Sequence, residues 1–432
     1  MTPRREMTTA ESPSTVLPVV VIGAGPIGLA AAANLVKRGI NTIVLEQGDH
    51  AGAAISKWGH VSFFSPWNYT IDPVSRELLE RTDWVTPELD ALPTGADIVG
   101  EYLLPLADTD ELAPLIHYNS RVIGMSRQGI DSSRTIGRER RPLLVRVESP
   151  TGIDDILASA IIDASGTWGH NNPVGASGLP AAGESDSSAW LTGPLPDVLG
   201  ADRARFAGKH TLVVGKGHSA ANTLLALAEL KEIEPDTQIT WAIRGRSARS
   251  LYGGGNADEL PGRAALGSRL KAAVDAGIVT LLTDFTVTSV APQDDGRLLV
   301  TSRNPDGNQS VTVDALAAAT GFRPDLSVLR ELHLSLDPVL EAPVALAPMI
   351  DPNVHSCGTV SPHGASMLKH PEKNVYIVGM KSYGRAPTFL LATGYEQVRS
   401  VVAAIAGDTA SAERVNLLLP ETGVCCTTSG GC

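Results

Sequence analysis

A unit of strand, glycine-rich turn, helix and strand occurs twice in this chain. That repetition limits its fold more than any other feature. The first copy reads LPVVVIGAGPIGLAAAANLVKRGINTIVLEQGD. Val19 to Ile22 form a short apolar run, mostly β-branched, suited to a buried parallel strand. Gly23, Gly25 and Gly28 complete G-x-G-x-x-G, Leu29 to Arg38 is Ala-rich and helical, and Gly39 is a fitting C-cap. Thr42 to Leu45 supply the second strand, which ends on Glu46. In such a unit Gly23 permits the tight turn, Gly25 lets backbone approach a pyrophosphate, and Gly28 lets the helix pack close to the strand. The helix start presents free N–H groups and partial positive charge to phosphates. Glu46 stands where a carboxylate accepts the ribose hydroxyls of an adenosine.

The second copy begins at GKHTLVVGKGHSAANTLLALAEL. Thr211 to Val214 are the strand, Gly215 and Gly217 the first two glycines, and Ser219 and Ala220 open the helix, with Ala220 in place of the third glycine. The next strand, Thr237 to Ile243, runs into RGRSAR rather than an acid. Arg244 and Arg246 suit a 2′-phosphate, which favours NADPH over NADH; an exposed basic turn is the alternative. Two such sites in one chain ordinarily pair a permanent flavin on the first with a transient nicotinamide on the second.

Composition narrows the partners. The chain has 432 residues, 43% of them hydrophobic, and a net charge of −12, so phosphate backbones and anionic lipid are repelled overall. Neither nucleic acid nor a membrane is expected as a partner. Val16 to Leu35 is long enough to span a bilayer, but its glycine spacing argues for the nucleotide turn. Residues 1–16 are polar and read as a disordered leader without the apolar segment of a signal peptide. Four cysteines, with Cys357 alone and the rest terminal, offer no disulfide framework, which points to the cytoplasm.

Two further stretches, LASAIIDASGTWG and DALAAATGFRPD, are each a buried strand ending in Ala-[Ser/Thr]-Gly. Gly166 and Gly321 then mark where the chain passes between the nucleotide domains. Taken together, GAGPIG, ASG, GKGHSA and ATGFRPD resemble the two-dinucleotide-binding flavoproteins, which include class B flavin monooxygenases and thioredoxin reductases. The resemblance implies an α/β fold with two Rossmann-like domains binding FAD and NADPH. The FAD domain is expected over 17–204, an inserted NADPH domain over 205–320, the rest of the FAD domain over 321–408, and a flexible tail over 409–432. It also implies a flavin-facing turn at Gly379 and a closing helix whose start, near Ala392 to Gly394, faces the flavin; Trp58 and Val122 complete the candidate cofactor set. A homodimer is compatible with this fold. The blocks SKWGHVSFFSPWNYTID and GMKSYGRAPTFLLATGYEQVRS are similar to a narrower group, monooxygenase-like flavoproteins that accompany bacterial arsenic-resistance genes.

The cysteine positions bear on the chemistry. With none before Cys357, neither nucleotide domain carries the close dithiol through which disulfide reductases usually draw electrons from flavin. A reduced flavin is left with oxygen, leading to oxidation of a soft organic or metalloid substrate, or with direct reduction of a bound acceptor. The F-x-G-x-x-x-H fingerprint of class B enzymes is incomplete: Phe206 and Gly208 are present, but His210 comes too early. Trp58, Phe63, Phe64 and Trp67 are candidate walls of a cavity or ordinary core. Lys381 and Arg385 are candidate catalytic cations that offset charge on reduced flavin, or else surface charge. His60, the third candidate catalytic residue, His170 and His363 are candidate proton-transfer groups, with structural roles as the alternative. Cys357 is read as a buried small apolar residue. Cys425, Cys426 and Cys432 crowd the C-terminus, and three thiolates suit a soft metalloid such as As(III). The expected activity is that of an FAD-containing, NADPH-dependent, monooxygenase-like oxidoreductase. Two alternatives are a reductase working through the tail thiols and a non-enzymatic metalloid-binding or sensing flavoprotein.

Overall fold

In a computed structural model of the chain, residues 16–252, 261–304, 307–353, 360–387 and 389–417 are described. The first unit forms strand β1 (Val19–Ile22), helix α1 (Pro26–Lys37) and strand β2 (Thr42–Leu45). A two-residue strand β3 (Ile116–His117) follows, then strands β4 (Arg121–Arg127), β5 (Leu143–Ser149) and β6 (Gly152–Ala158), and then β7 (Ala160–Asp163). Every residue of β1 and β7 is buried. Strands enclosed on both faces lose all alternation and read as continuous apolar runs.

The chain then enters the middle lobe. Its elements are β8 (Leu191–Thr192), β9 (His210–Val214), α2 (His218–Ile233), β10 (Gln238–Ala242), α3 (Pro261–Asp275), β11 (Thr280–Leu282), β12 (Val287–Pro292), β13 (Leu298–Asn304), β14 (Gly307–Val313) and β15 (Ala315–Ala318). It returns to the first lobe through β16 (Val375–Ile377) and α4 (Leu391–Ile405).

Each lobe has the same plan, a five-stranded parallel sheet beside a three-stranded antiparallel one. The first parallel sheet has the order β16-β7-β1-β2-β3 and the second β11-β10-β9-β15-β8. Strands from both ends of the chain therefore lie side by side in the first sheet, with the middle lobe inserted between β7 and β16. Because β8 pairs with β15, the middle lobe takes in Leu191 and Thr192, ahead of the expected boundary at 205. Two residues in an edge strand carry too little periodicity to mark a boundary. The run Val16 to Leu35 divides at the Gly23 turn into β1 and α1, and among the described residues no helix is long and apolar enough to cross a membrane.

Small side chains set the packing of the first lobe. Ala30 to Ala33 of α1 are fully buried, in one apolar cluster with Val398, Val401 and Val402 of α4. On the far side of the sheet, a buried ion cluster ties β4 to the returning chain. Glu372 Oε1 accepts from Arg127 Nε at 2.7 Å and Oε2 from Arg138 Nε at 2.8 Å. The spare guanidinium donors end on the carbonyls of Arg141, Lys373, Asp131 and Glu331. Burial pushes the Glu372 carboxyl up, but the two guanidiniums and the His333 N–H outweigh it and hold it below the ordinary range.

Removing the acid leaves two buried guanidiniums facing each other. Glu372→Gln should therefore cost about 3–5 kcal/mol in chemical denaturation at pH 7. A carboxyl lowered by folding stabilises above its unfolded value and loses that contribution as pH falls through the folded one. The gap between wild type and variant should accordingly close below about pH 4.

Candidate functional site

Both glycine turns open at the carboxyl ends of their parallel strands, where ligands bind in sheets of this type. There they share one cavity of about 2310 Å³, lined by residues of both lobes. The glycines of each turn divide into two kinds. Gly23 has φ +97°, and a Cβ there would lie 2.9 Å from the Ala164 carbonyl oxygen. Gly215 has φ +139°, and its Cβ would lie 2.0 Å from the Ala319 carbonyl oxygen. A Cβ on Gly28 would meet the Gly23 carbonyl oxygen at 1.8 Å, and Ala220, its counterpart in α2, is fully buried. These positions are closed by the protein itself. Gly25 and Gly217 differ: each caps a helix with extended backbone (φ −81° and −107°), and a Cβ on either meets nothing within 4 Å. Neither backbone angle nor protein packing requires glycine there, and both residues line the cavity.

Around the first turn, Glu46 is buried at the end of β2. It accepts from the N–H groups of Ala24 and Gly48, both at 2.7 Å. Each oxygen keeps a lone pair, so the residue still lines the cavity as an acceptor. Val122 lines the same end, and Gly166 (φ +68°) and Gly321 (φ +87°) line the waist between the lobes. Around the second turn, Ser219, Arg244 and Arg246 line the cavity. Arg244 Nη1 donates to the Ala176 carbonyl at 3.1 Å, and exposed Arg246 lies 3.7 Å from Asp284.

A row of aromatic rings crosses the waist. Phe63 and Trp58 have ring centres 5.4 Å apart, Trp58 and Trp168 6.1 Å, and Trp168 and Phe322 5.3 Å. Phe64 contacts His218, at the start of α2, at 4.8 Å. Trp58, Phe63 and Phe64 are thus cavity walls, whereas Trp67 is buried in the core of the first lobe. Trp168 and Phe322 were not foreseen. Their signal lies in the return segments, where each follows the glycine by one or two positions. The two segments interlock: the Asn172 N–H donates to the Gly321 carbonyl at 2.9 Å, and the Thr320 hydroxyl to the Asn172 carbonyl at 2.6 Å.

Several expectations need correction. Lys381 is not surface charge: it lines the cavity, but it is 2% exposed and its Nζ lies 2.7 Å from Asp163 Oδ2. Arg385 is exposed at the cavity wall. His60 is exposed in a turn and does not line the cavity, so catalysis there has no support from its position. His363 does not line it either. Its Nδ1 faces the Ser361 carbonyl at 3.1 Å, its Nε2 faces the Gln397 amide at 2.9 Å, and burial pushes its pKa down. That neutral imidazole orients Gln397, whose Oε1 accepts from the Gly379 N–H at 2.8 Å and so fixes the turn after β16. His170 does line the cavity, as does Asp325. Burial pushes the Asp325 carboxyl up, but the Ser327 hydroxyl and N–H, aided by Lys381 and His170, hold it below the usual range.

Gly394 faces protein rather than the cavity. A Cβ there would lie 2.4 Å from Ile27 Cδ1 and 2.7 Å from Phe389 Cζ, so the glycine serves the packing of α4 over the first turn of α1. Gly379 (φ +68°) lies on the same Ile27 side chain and lines the cavity. The four cysteines, including Cys357 and the candidate metal ligands Cys425, Cys426 and Cys432, lie outside the described residues. Among the described residues no group of three His, Cys, Asp or Glu could hold a metal ion.

Residues 18–176 match the family described as FAD dependent oxidoreductase. A search of curated proteins found no match. Among solved structures, bacillithiol disulfide reductase Bdr (YpdA) from Bacillus cereus is 18% identical with TM-score 0.66, covering 91% of this chain and 99% of that one. Ornithine N-hydroxylase from Kutzneria sp. 744 is 16% identical with TM-score 0.62, covering 91% and 99%. The flavin-containing monooxygenase from Stenotrophomonas maltophilia is 22% identical with TM-score 0.58, covering 91% and 98%. At these identities the likeness is one of fold, and it extends along nearly the whole chain.

The two kinds of glycine separate in experiment. Gly25→Val and Gly217→Val should fold with the stability of wild-type protein stripped of nucleotide, and each should lose one dinucleotide in equilibrium dialysis. Gly28→Val should lose several kcal/mol in thermal or chemical denaturation even without nucleotide, because backbone must move.

Proposed function

We propose that this chain is an FAD-dependent, NADPH-consuming oxidoreductase, with FAD held by the first lobe and NADPH by the middle lobe. The observation that carries this reading is the pair Gly25 and Gly217, each free of any backbone or packing need for glycine and each open to the same cavity. The family match over 18–176 supports the first cofactor. When bound, the flavin supplies two-electron chemistry, accepting hydride from the nicotinamide and passing electrons on. The protein's part is binding and orientation. The starts of α1 and α2 face the two pyrophosphates with partial positive charge. Glu46 receives the adenosine ribose of FAD, and Arg244 and Arg246 receive the 2′-phosphate of NADPH. The aromatic row covers the waist, where it keeps water from the two reacting rings.

For the outlet we favour oxygen and a soft substrate, organic or metalloid. No cysteine precedes Cys357, so neither lobe's sequence carries the close dithiol through which disulfide reductases usually draw electrons from flavin. A second reading, reduction through Cys425, Cys426 and Cys432, draws on their crowding at the C-terminus and on the fold shared with a bacillithiol disulfide reductase.

Purified protein should be yellow and should bleach on anaerobic addition of NADPH; colourless protein, or colour that persists, overturns the proposal. Bleached protein mixed with air should consume oxygen at a rate unchanged in a Cys425→Ser, Cys426→Ser, Cys432→Ser variant. Loss of turnover with disulfide or As(III) in that variant instead identifies the thiol route. Arg246→Ala should raise KM for NADPH by about 10–100-fold, the value of one charged hydrogen bond, and leave KM for NADH unchanged.

A further inference from the structure

Asp163 and Lys381 form an ion pair at the wall of the cavity that the function above does not use. Asp163 is the last residue of β7, in register with Ile22 of β1 and Ile377 of β16. It therefore sits where three adjacent strands end, directly before Ala164, whose carbonyl abuts the Gly23 turn. Its side chain is 0% exposed and that of Lys381 is 2% exposed. Ser165 lies in front of them, exposed to the cavity. Its hydroxyl donates to Asp163 Oδ1 at 2.6 Å, its N–H reaches the same oxygen at 3.1 Å, and Lys381 Nζ reaches its Oγ at 3.0 Å. Two of the three ammonium protons are thereby used.

Burying two opposite charges is costly, and a well-packed apolar pair often serves stability as well or better. Placing the pair at the wall of the cavity that would hold the cofactor has an electrical consequence. A flavin gains negative charge when reduced, and in a site of low dielectric that charge responds strongly to any fixed charge nearby. A lone lysine here would favour the reduced form. A lysine held 2.7 Å from an aspartate belongs to a pair with no net charge.

We propose that Asp163 is a positioning residue that cancels the charge of Lys381 and so keeps the potential of the bound flavin low, which favours delivery of electrons onward. The inference rests on FAD binding to the first lobe. It assigns the control of potential to the pair, rather than to Lys381 as a free cation, and it leaves Glu46, His170, Asp325 and Arg385 unchanged at the cavity wall.

Two substitutions of opposite sign test it. Asp163→Asn keeps the shape and leaves a net positive charge. Lys381→Met keeps much of the bulk and leaves a net negative one. Each variant is purified as the yellow holoprotein, and its midpoint potential is measured by anaerobic titration against a reference dye. Asp163→Asn should raise the potential, with the reduced flavin bound at least about tenfold more tightly relative to the oxidised, or about 30 mV for a two-electron couple. Lys381→Met should lower it by a comparable amount, and Lys381→Arg should restore the wild-type value. A purely structural role predicts loosening of both variants without opposite shifts. Unchanged potentials, or shifts of the same sign, overturn the proposal. If Asp163→Asn does not fold, the double variant Asp163→Asn, Lys381→Met, which is again uncharged, decides: its potential should return to the wild-type value, and a potential as low as that of Lys381→Met overturns the proposal. Wild-type protein that holds no flavin refutes the proposed function itself, an outcome distinct from any of these.

Discussion

Two close backbone approaches govern the rest of the structure. In each lobe the first glycine of the turn lies against a carbonyl of the neighbouring strand's extension, Gly23 against Ala164 and Gly215 against Ala319. Only a residue without Cβ and with positive φ fits there. With the turn so tight, each helix starts immediately beyond the strand end and points its free N–H groups into the space above the sheet. The cavity forms because both sheets end this way and face one another.

The return segments complete the arrangement. β7 and β15 each lie beside the strand that leads into the glycine turn of their sheet, and both lead into Gly-containing stretches that meet at the waist. Thr320, Gly321 and Asn172 bind these stretches to each other through backbone and hydroxyl groups. Trp168 and Phe322 continue the contact as rings tilted against each other, and Trp58 carries it into the first lobe. The lobes are thus joined by paired crossovers whose side chains also wall the site. A change at the waist alters the geometry between the two glycine turns and the wall of the cavity they share.

Charge is handled differently at the surface and inside. Acidic residues outnumber basic ones over the chain, yet the cavity gathers Arg244, Arg246 and Arg385 at its walls. Where cations are buried, they are matched: Arg127 and Arg138 by Glu372, and Lys381 by Asp163. The first cluster joins two distant parts of the chain behind the sheet, and its orphaned members would be expensive to leave inside. The second stands at the cavity and is open to use.

Most of the frame was legible in the sequence. The strand–turn–helix units and the return segments follow from glycine spacing, short apolar runs and strand–glycine endings, all of which are local; the insertion of one lobe into the other was implied only by the family resemblance. Within the first motif the spacing already separated the turn glycine Gly23, the close-packing glycine Gly28 and Gly25, which stands open. Gly394 was not legible in this way: it packs against Ile27, far away in the chain, rather than facing the cavity. Lys381 read as a free cation because its partner is 218 residues away. His60 read as a candidate because it lies among aromatic residues that do reach the cavity, although its own side chain turns outward. His363 was open to either a proton-transfer or a structural reading, and burial with two hydrogen bonds decides for a neutral support of Gln397. Sequence by itself determined the two strand–turn–helix units and the strands that return beside them, because neighbours along the chain decide those. Tertiary structure alone decided which charges are cancelled and which candidate side chains reach the cavity, because distant residues brought together by the two sheets decide both.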